Sequence, residues 1–110
     1  MAKAIYKFNG QVVSREVFIE NLIDNLENAE SFVENYDEML DEIYEGTEIF
    51  GITFYPSRIL KEIDPIAYDM GLSEQAESRA TESVEYAELH EEELSYEFDE
   101  DTLTLTFEEE

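Results

Sequence analysis

Two β-prone runs, Ala4-Ile5-Tyr6-Lys7-Phe8 and Gln11-Val12-Val13, flank Asn9-Gly10 near the start of the chain. Asn-Gly between such runs specifies a tight hairpin, because both turn residues tolerate positive φ. Ser14 then stands as an N-cap with Glu16 in the first turn, where an acid complements the helix dipole. Phe18, Leu22 and Leu26, with Ile19 and Ile23 beside them, repeat at helical spacing and predict a helix over about Arg15–Leu26. Phe32, Tyr36, Met39, Leu40 and Ile43 predict a second over about Glu30–Tyr44, with Gly46 as its C′ residue.

Ile49-Phe50-Gly51-Ile52-Thr53-Phe54 reads as one strand or buried extended run, ended by Tyr55-Pro56. Two short helical pieces follow: Ser57 caps Arg58–Ile63, and Asp64-Pro65 opens a turn that Gly71 closes. From Ser73 to Leu89 the apolar positions are small or sparse (Ala76, Ala80, Val84, Ala87), a periodicity that permits a helix without compelling one. Leu94, Tyr96 and Phe98, then Leu103, Leu105 and Phe107, alternate with polar residues on either side of Asp99-Glu100-Asp101 and predict a second hairpin with one apolar face. The expected fold is α+β. A small antiparallel sheet made of the N-terminal and C-terminal hairpins packs against two or more amphipathic helices, in a single acidic domain spanning residues 1–110.

Charge changes this picture most. Thirty Asp and Glu against six Lys and Arg give a net charge of -24, yet 43% of the chain is hydrophobic and 13% aromatic, so the acidity is worn by something folded. Between Glu16 and Ser57, and again after Arg79, there is no lysine or arginine. On the first helix Glu16, Glu20, Asp24 and Glu27 fall in one line opposite the apolar stripe. On the second, Glu30, Glu34, Asp37, Asp41, Glu45 and Glu48 extend a longer row that Glu38 and Glu42 widen. Like charges at i, i+4 cost a few tenths of a kcal/mol each, and an ordinary solvated face intersperses lysine or arginine to avoid that.

Such a field repels nucleic acid and anionic membranes and attracts a basic protein. A compact 110-residue domain has a radius of gyration of ~13 Å and a diameter of ~34 Å. Duplex DNA of that length carries ~20 phosphates, close to the net charge of this chain. Rows of carboxylates on rigid helices are therefore expected to imitate a phosphate backbone, with Glu97, Asp99, Glu100 and Asp101 as a further group. Two competing readings predict the same composition: an acidic structural or assembly protein that binds a basic partner without mimicry, and adaptation to molar salt, which spreads its acids more evenly.

Little here points to catalysis. His90 is the single histidine and reads as a solvated residue among glutamates. The Asp99–Asp101 cluster lacks the central glycine of a calcium loop and reads as a turn. There is no glycine-rich phosphate loop, and with no cysteine there is no thiolate site or disulfide; neither a cofactor nor a specific metal is expected. Of seven tyrosines, Tyr36 and Tyr96 fall on apolar faces, leaving Tyr86 as the candidate interface aromatic. No signal peptide or membrane span is read, and the expected compartment is the cytosol.

A small, cysteine-free, very acidic α+β chain with carboxylate rows on helices resembles the DNA-mimic inhibitors encoded by bacteriophages and mobile elements, including anti-restriction and anti-CRISPR proteins. The segment Tyr55–Tyr68 also looks like one found in short phage proteins of Gram-positive hosts. The resemblance implies a non-enzymatic inhibitor that blocks the basic groove of a Cas effector or a restriction enzyme in the host cytoplasm.

Overall fold

Both ends of the described chain meet in one sheet. The computed structural model describes residues 2–44 and 46–109. In order these are β1 (Ala2–Phe8), β2 (Gln11–Val13), α1 (Arg15–Asn28), α2 (Glu30–Ile43), β3 (Thr47–Ile49), β4 (Ile52–Phe54), α3 (Pro56–Ile63), α4 (Pro65–His90), β5 (Leu94–Glu97) and β6 (Thr102–Glu109). The two hairpins predicted at the ends join through antiparallel β1 and β6, in register from Ala2 opposite Glu109 to Phe8 opposite Leu103, giving the strand order β2-β1-β6-β5. The architecture is α+β, as expected.

Alternation along the strands sets the core. Tyr6, Phe8, Leu94, Tyr96 and Phe107 pack inward with the fully buried Leu103 and Leu105, and the rings of Tyr6 and Phe18 of α1 lie 5.5 Å apart. Ser14 caps α1 by accepting from Val17 N–H at 3.2 Å, and α1 buries the predicted Phe18, Leu22 and Leu26. Asn9 and Gly10 take φ of 51° and 83°, the left-handed pair a tight hairpin requires.

Three expectations are corrected. The two short helical pieces and the undecided stretch after them form α3 and a single 26-residue α4, about 39 Å long at 1.5 Å per residue. Asp64 does cap α4 from Ala67 N–H at 3.1 Å, with Pro65 in the first turn. Gly71 ends nothing: it sits inside α4 where the hydroxyl of Tyr36 on α2 comes against the backbone, and a Cβ would collide with it. The small residues Ala76, Ala80, Val84 and Ala87 are the buried stripe of α4, and their size lets α1 approach closely. Weak periodicity in the sequence was the mark of a tight helix contact.

Second, Ser57 does not cap α3. Tyr55 holds the cap position, Pro56 opens the helix, and Ser57 lies buried in the first turn.

Third, residues 49–54 are neither one strand nor buried. β3 and β4 form a separate two-stranded hairpin, turning at Phe50 and Gly51 with φ of 53° and 78°. Ile49, Ile52 and Phe54 remain exposed, and Phe50 is 100% exposed. An aromatic residue held in the left-handed region costs roughly 1–2 kcal/mol.

The outline is elongated, 66 × 26 × 19 Å with a radius of gyration of 17.6 Å, in place of the ~13 Å expected of a compact domain of this length. α4 packs with α2 and α3 at its N-terminal half, where Tyr36 and Tyr68 meet edge to face at 5.4 Å, and is tied to β1 near its other end by the bond from the Tyr6 hydroxyl to Glu88.

Replacing Gly71 by alanine should destabilise the protein by about 1–3 kcal/mol, because the methyl group displaces a buried ring. In a Tyr36→Phe background, which removes the obstructing hydroxyl, the same change should be neutral or stabilising, since alanine gains up to ~1 kcal/mol of helix propensity. Urea unfolding of the four chains measures the coupling.

Candidate partner-binding surface

α1 presents Glu16, Glu20 and Asp24 to solvent on the side opposite its buried stripe, with Glu27 half-buried at the edge. On α2 the solvent row is Glu30, Glu34, Glu38 and Glu42, a simple i, i+4 series. This differs from the row read from sequence. Asp37 and Asp41 turn toward α3, α2 ends at Ile43, and Glu48 lies on β3 rather than continuing a helix; Glu45 lies outside the described residues.

The inward aspartates are committed to the fold. Asp41 accepts from Ser57 N–H at 3.0 Å and from its hydroxyl at 3.2 Å, so a residue of α2 caps α3. Asp37 accepts from Lys61 Nζ and from the Tyr68 hydroxyl, each at 2.6 Å, tying α2 to α3 and α4, while Lys61 Nζ stands 5.0 Å from the Tyr68 ring centre. Asp101 is likewise engaged: its two oxygens accept at 3.0 Å from Asn9 on the first hairpin turn and Asn25 on α1. These ties leave three predicted site residues with internal work. Their one sequence signal is residue type, because aspartate is a poor helix-interior residue and Asp37 and Asp41 sit inside a helix where every exposed acid is glutamate.

Five of the remaining predicted residues converge. Where α1 turns into α2, the β5–β6 turn lies opposite, and a cleft of about 790 Å³ opens between them, lined by Glu30 and Glu34 on one side and Glu97, Asp99 and Glu100 on the other. Asn25, Asn28 and Ser31 add neutral polar groups and Phe98 an apolar floor. Carboxylates thus stand on both walls, an arrangement suited to a cationic side chain.

Sequence reasoning missed the acids of α4. Asp69, Glu74, Glu77, Glu82 and Glu85 are exposed along it and Glu91, Glu92 and Glu93 follow its end, with Arg79 the one lysine or arginine on that helix. Helical spacing opposite the alanine stripe was the available signal. The outer face of the sheet has a different character. Lys3, Ile5, Lys7, Val12, Ser95, Thr102, Thr104 and Thr106 share it with only Glu108 and, at its edge beside the cleft, Glu97, so its charges balance, while the four helices carry 17 Asp and Glu against four Lys and Arg.

Glu88 is the exception among the α4 acids. Arg15 grips it with Nε at 2.9 Å and Nη2 at 3.1 Å, and the Tyr6 hydroxyl donates to it, joining α1, β1 and α4. Burial works to raise Glu88, but the bonds donated by Arg15 and Tyr6 outweigh it and hold the carboxyl below its ordinary value. Burial together with the neighbouring Glu88 pushes Tyr6 up to about 12. Burial, with the bond to Asp37, raises Tyr68 as well. His90 is exposed and lies against Tyr86, ring centres 4.3 Å apart, so the candidate interface tyrosine is itself exposed and partnered. Among the described residues no group of three or more His, Asp or Glu is arranged to hold a metal ion, and no helix is long and apolar enough to cross a membrane.

No protein-family model, no curated protein and no solved structure matches the chain.

Two outcomes test this division between structural and exposed acids. Asp41→Ala should lower stability by about 1–2 kcal/mol by uncapping α3 and stranding a buried serine, whereas Glu38→Gln on the adjacent solvent row should change it by under ~0.5 kcal/mol; urea midpoints decide. Because the Tyr6 pKa is raised in the fold, its contribution is fully present below the ordinary tyrosine value of about 10 and is lost as pH rises toward about 12. Melting temperature should therefore fall across that window, and Tyr6→Phe should start lower at pH 7 and fall less steeply.

Proposed function

We propose that this protein is a non-enzymatic inhibitor that occupies the basic nucleic-acid groove of a DNA-binding protein by imitating a phosphate backbone. The observation that carries the reading is asymmetry: carboxylates crowd the helical layer along a body 66 Å long, while the outer face of the sheet is balanced in charge. Adaptation to high salt gives no reason to spare one face. Uneven acidity is what a dedicated binding surface needs.

Elongation changes the quantitative comparison with DNA. A duplex 66 Å long carries roughly 39 phosphates at one per ~1.7 Å. The net charge of -24 is about three-fifths of that, not the parity that a compact body of this length suggested. Partial density suffices, since a typical DNA-binding protein engages only about 6–10 phosphates. The exposed rows Glu16–Glu20–Asp24 and Glu30–Glu34–Glu38–Glu42, with Glu97, Asp99 and Glu100 across the cleft, supply that number.

Inhibition is by competitive exclusion. Complementary fields speed encounter, so association is fast and weakens steeply with added salt. The target class that fits the resemblance to phage inhibitors is a defence nuclease of the host, a Cas effector or a restriction enzyme, met in the bacterial cytoplasm. An assembly role with a basic partner is the second reading; the acids exposed along α4, Asp69, Glu74, Glu77, Glu82 and Glu85, favour it, since a basic partner that follows no phosphate spacing can use them as well as the rows on α1 and α2.

Immobilised protein should capture a basic nucleic-acid-binding protein from host extract, and excess duplex DNA should release it. Neutralising Glu16, Glu20, Asp24, Glu34 and Glu38 to their amides should weaken capture at least tenfold and flatten its salt dependence. Capture that resists DNA, or that the amides leave intact, rules mimicry out.

A further inference from the structure

The hairpin β3–β4 leaves its apolar side chains open to solvent. Its register places Thr47, Ile49, Ile52 and Phe54 on one side and Glu48 and Thr53 on the other, so it has an apolar face, yet Ile49 and Ile52 are 50% and 59% exposed. Two strands alone are marginal in water; a third strand or a covering layer is needed for stability. Among the described residues the sheet has no third strand, and Ile49, Phe50 and Ile52 stay largely uncovered.

The turn repeats the question. Asn9-Gly10 and Phe50-Gly51 have nearly the same backbone, φ 51° and 83° against 53° and 78°. The first uses the residue that suits a left-handed position; the second places there a phenylalanine that touches nothing. Strain of this kind persists where the side chain serves something outside the local fold.

We propose that this hairpin is a self-association element, its apolar face covered by the same face of a second copy of the chain. Charge argues for that occupant. From Thr47 to Tyr55 the sole charged residue is Glu48, on the polar side, so this is a gap in an otherwise acidic surface. A basic partner finds no carboxylate on the apolar face, whereas a second copy can approach here without burying any. The pairing is isologous, each Phe50 packing onto the other hairpin about a two-fold axis. The four exposed large side chains of the hairpin, Ile49, Phe50, Ile52 and Phe54, leave on the order of 500 Å² open on each copy. Two copies together cover about 1,000 Å², the lower end for a specific interface and the size of a weak, concentration-dependent dimer. This inference stands independently of nucleic-acid mimicry.

Its salt dependence is opposite in sign to that of binding a basic protein. Two bodies of charge -24 repel, and salt screens the repulsion. Sedimentation velocity on the full chain at about 100 µM should show a monomer–dimer equilibrium that tightens several-fold between about 50 mM and about 500 mM NaCl. Phe50→Asn should weaken the dimer at least tenfold at both salt concentrations, with the chain melting no lower than the parent, because Asn-Gly suits the turn. Ile49→Thr/Ile52→Thr should weaken it similarly. A monomer at high salt overturns the proposal, as does a dimer unmoved by these substitutions or one that loosens as salt is added.

Discussion

Mutual repulsion among carboxylates is the constraint under which everything else in this molecule is arranged. Thirty acids with six lysines and arginines cannot be gathered into a sphere without crowding like charges, and the chain does not make one. It lays α1 and α2 along α4 and extends to 66 Å, so that acids on different elements stand farther apart than they would on a compact body. At physiological salt, charges beyond about 8 Å are largely screened, and length converts close repulsions into screened ones. The same extension spreads the surface that a groove-shaped partner would meet.

Scarcity of cations also decides how the elements are tied. An ordinary domain would join α2 to α3, or α1 to a turn, with lysine or arginine. Here the acceptors are carboxylates and most donors are neutral: Ser57 to Asp41, Tyr68 to Asp37, Asn9 and Asn25 to Asp101, Tyr6 to Glu88. Only Arg15 and Lys61 add a formal charge to these joints. Neutral donors keep their proton through the physiological range, and for Tyr6 and Tyr68 burial, together with the tie to the carboxylate, raises the hydroxyl pKa and makes it harder to ionise.

What could be read from the residues divides along physical lines. Local determinants were legible: Asn9-Gly10 specifies its turn, Ser14 and Asp64-Pro65 their caps, and the alternation from Leu94 to Phe107 its hairpin, because each depends on residues within a few positions. One failure was local, the Phe50-Gly51 turn, hidden because phenylalanine disfavours the positive φ it adopts there; most of the others involve a partner distant in sequence. Gly71 looked like a helix end because its reason, the Tyr36 hydroxyl, lies on another helix. The alanines of α4 looked uninformative because small size signals closeness only once the neighbour is known. Asp37, Asp41 and Asp101 looked like members of exposed rows because periodicity reports the side of a helix and not what stands opposite. Compactness was assumed from length alone, and the chain instead extends 66 Å along its long axis.

The β1–β6 pairing has a consequence in time. Phe8 waits for Leu103, so β1 gains its central neighbour only after about 95 further residues are made. At about 5–20 residues per second of synthesis that is a delay of roughly 5–20 s. During it the nascent helices can dock, but Tyr6 and Phe8 have no finished sheet to enter. The acids made in that interval give the unfinished chain a net negative charge, which opposes close association with another like it before the sheet can close.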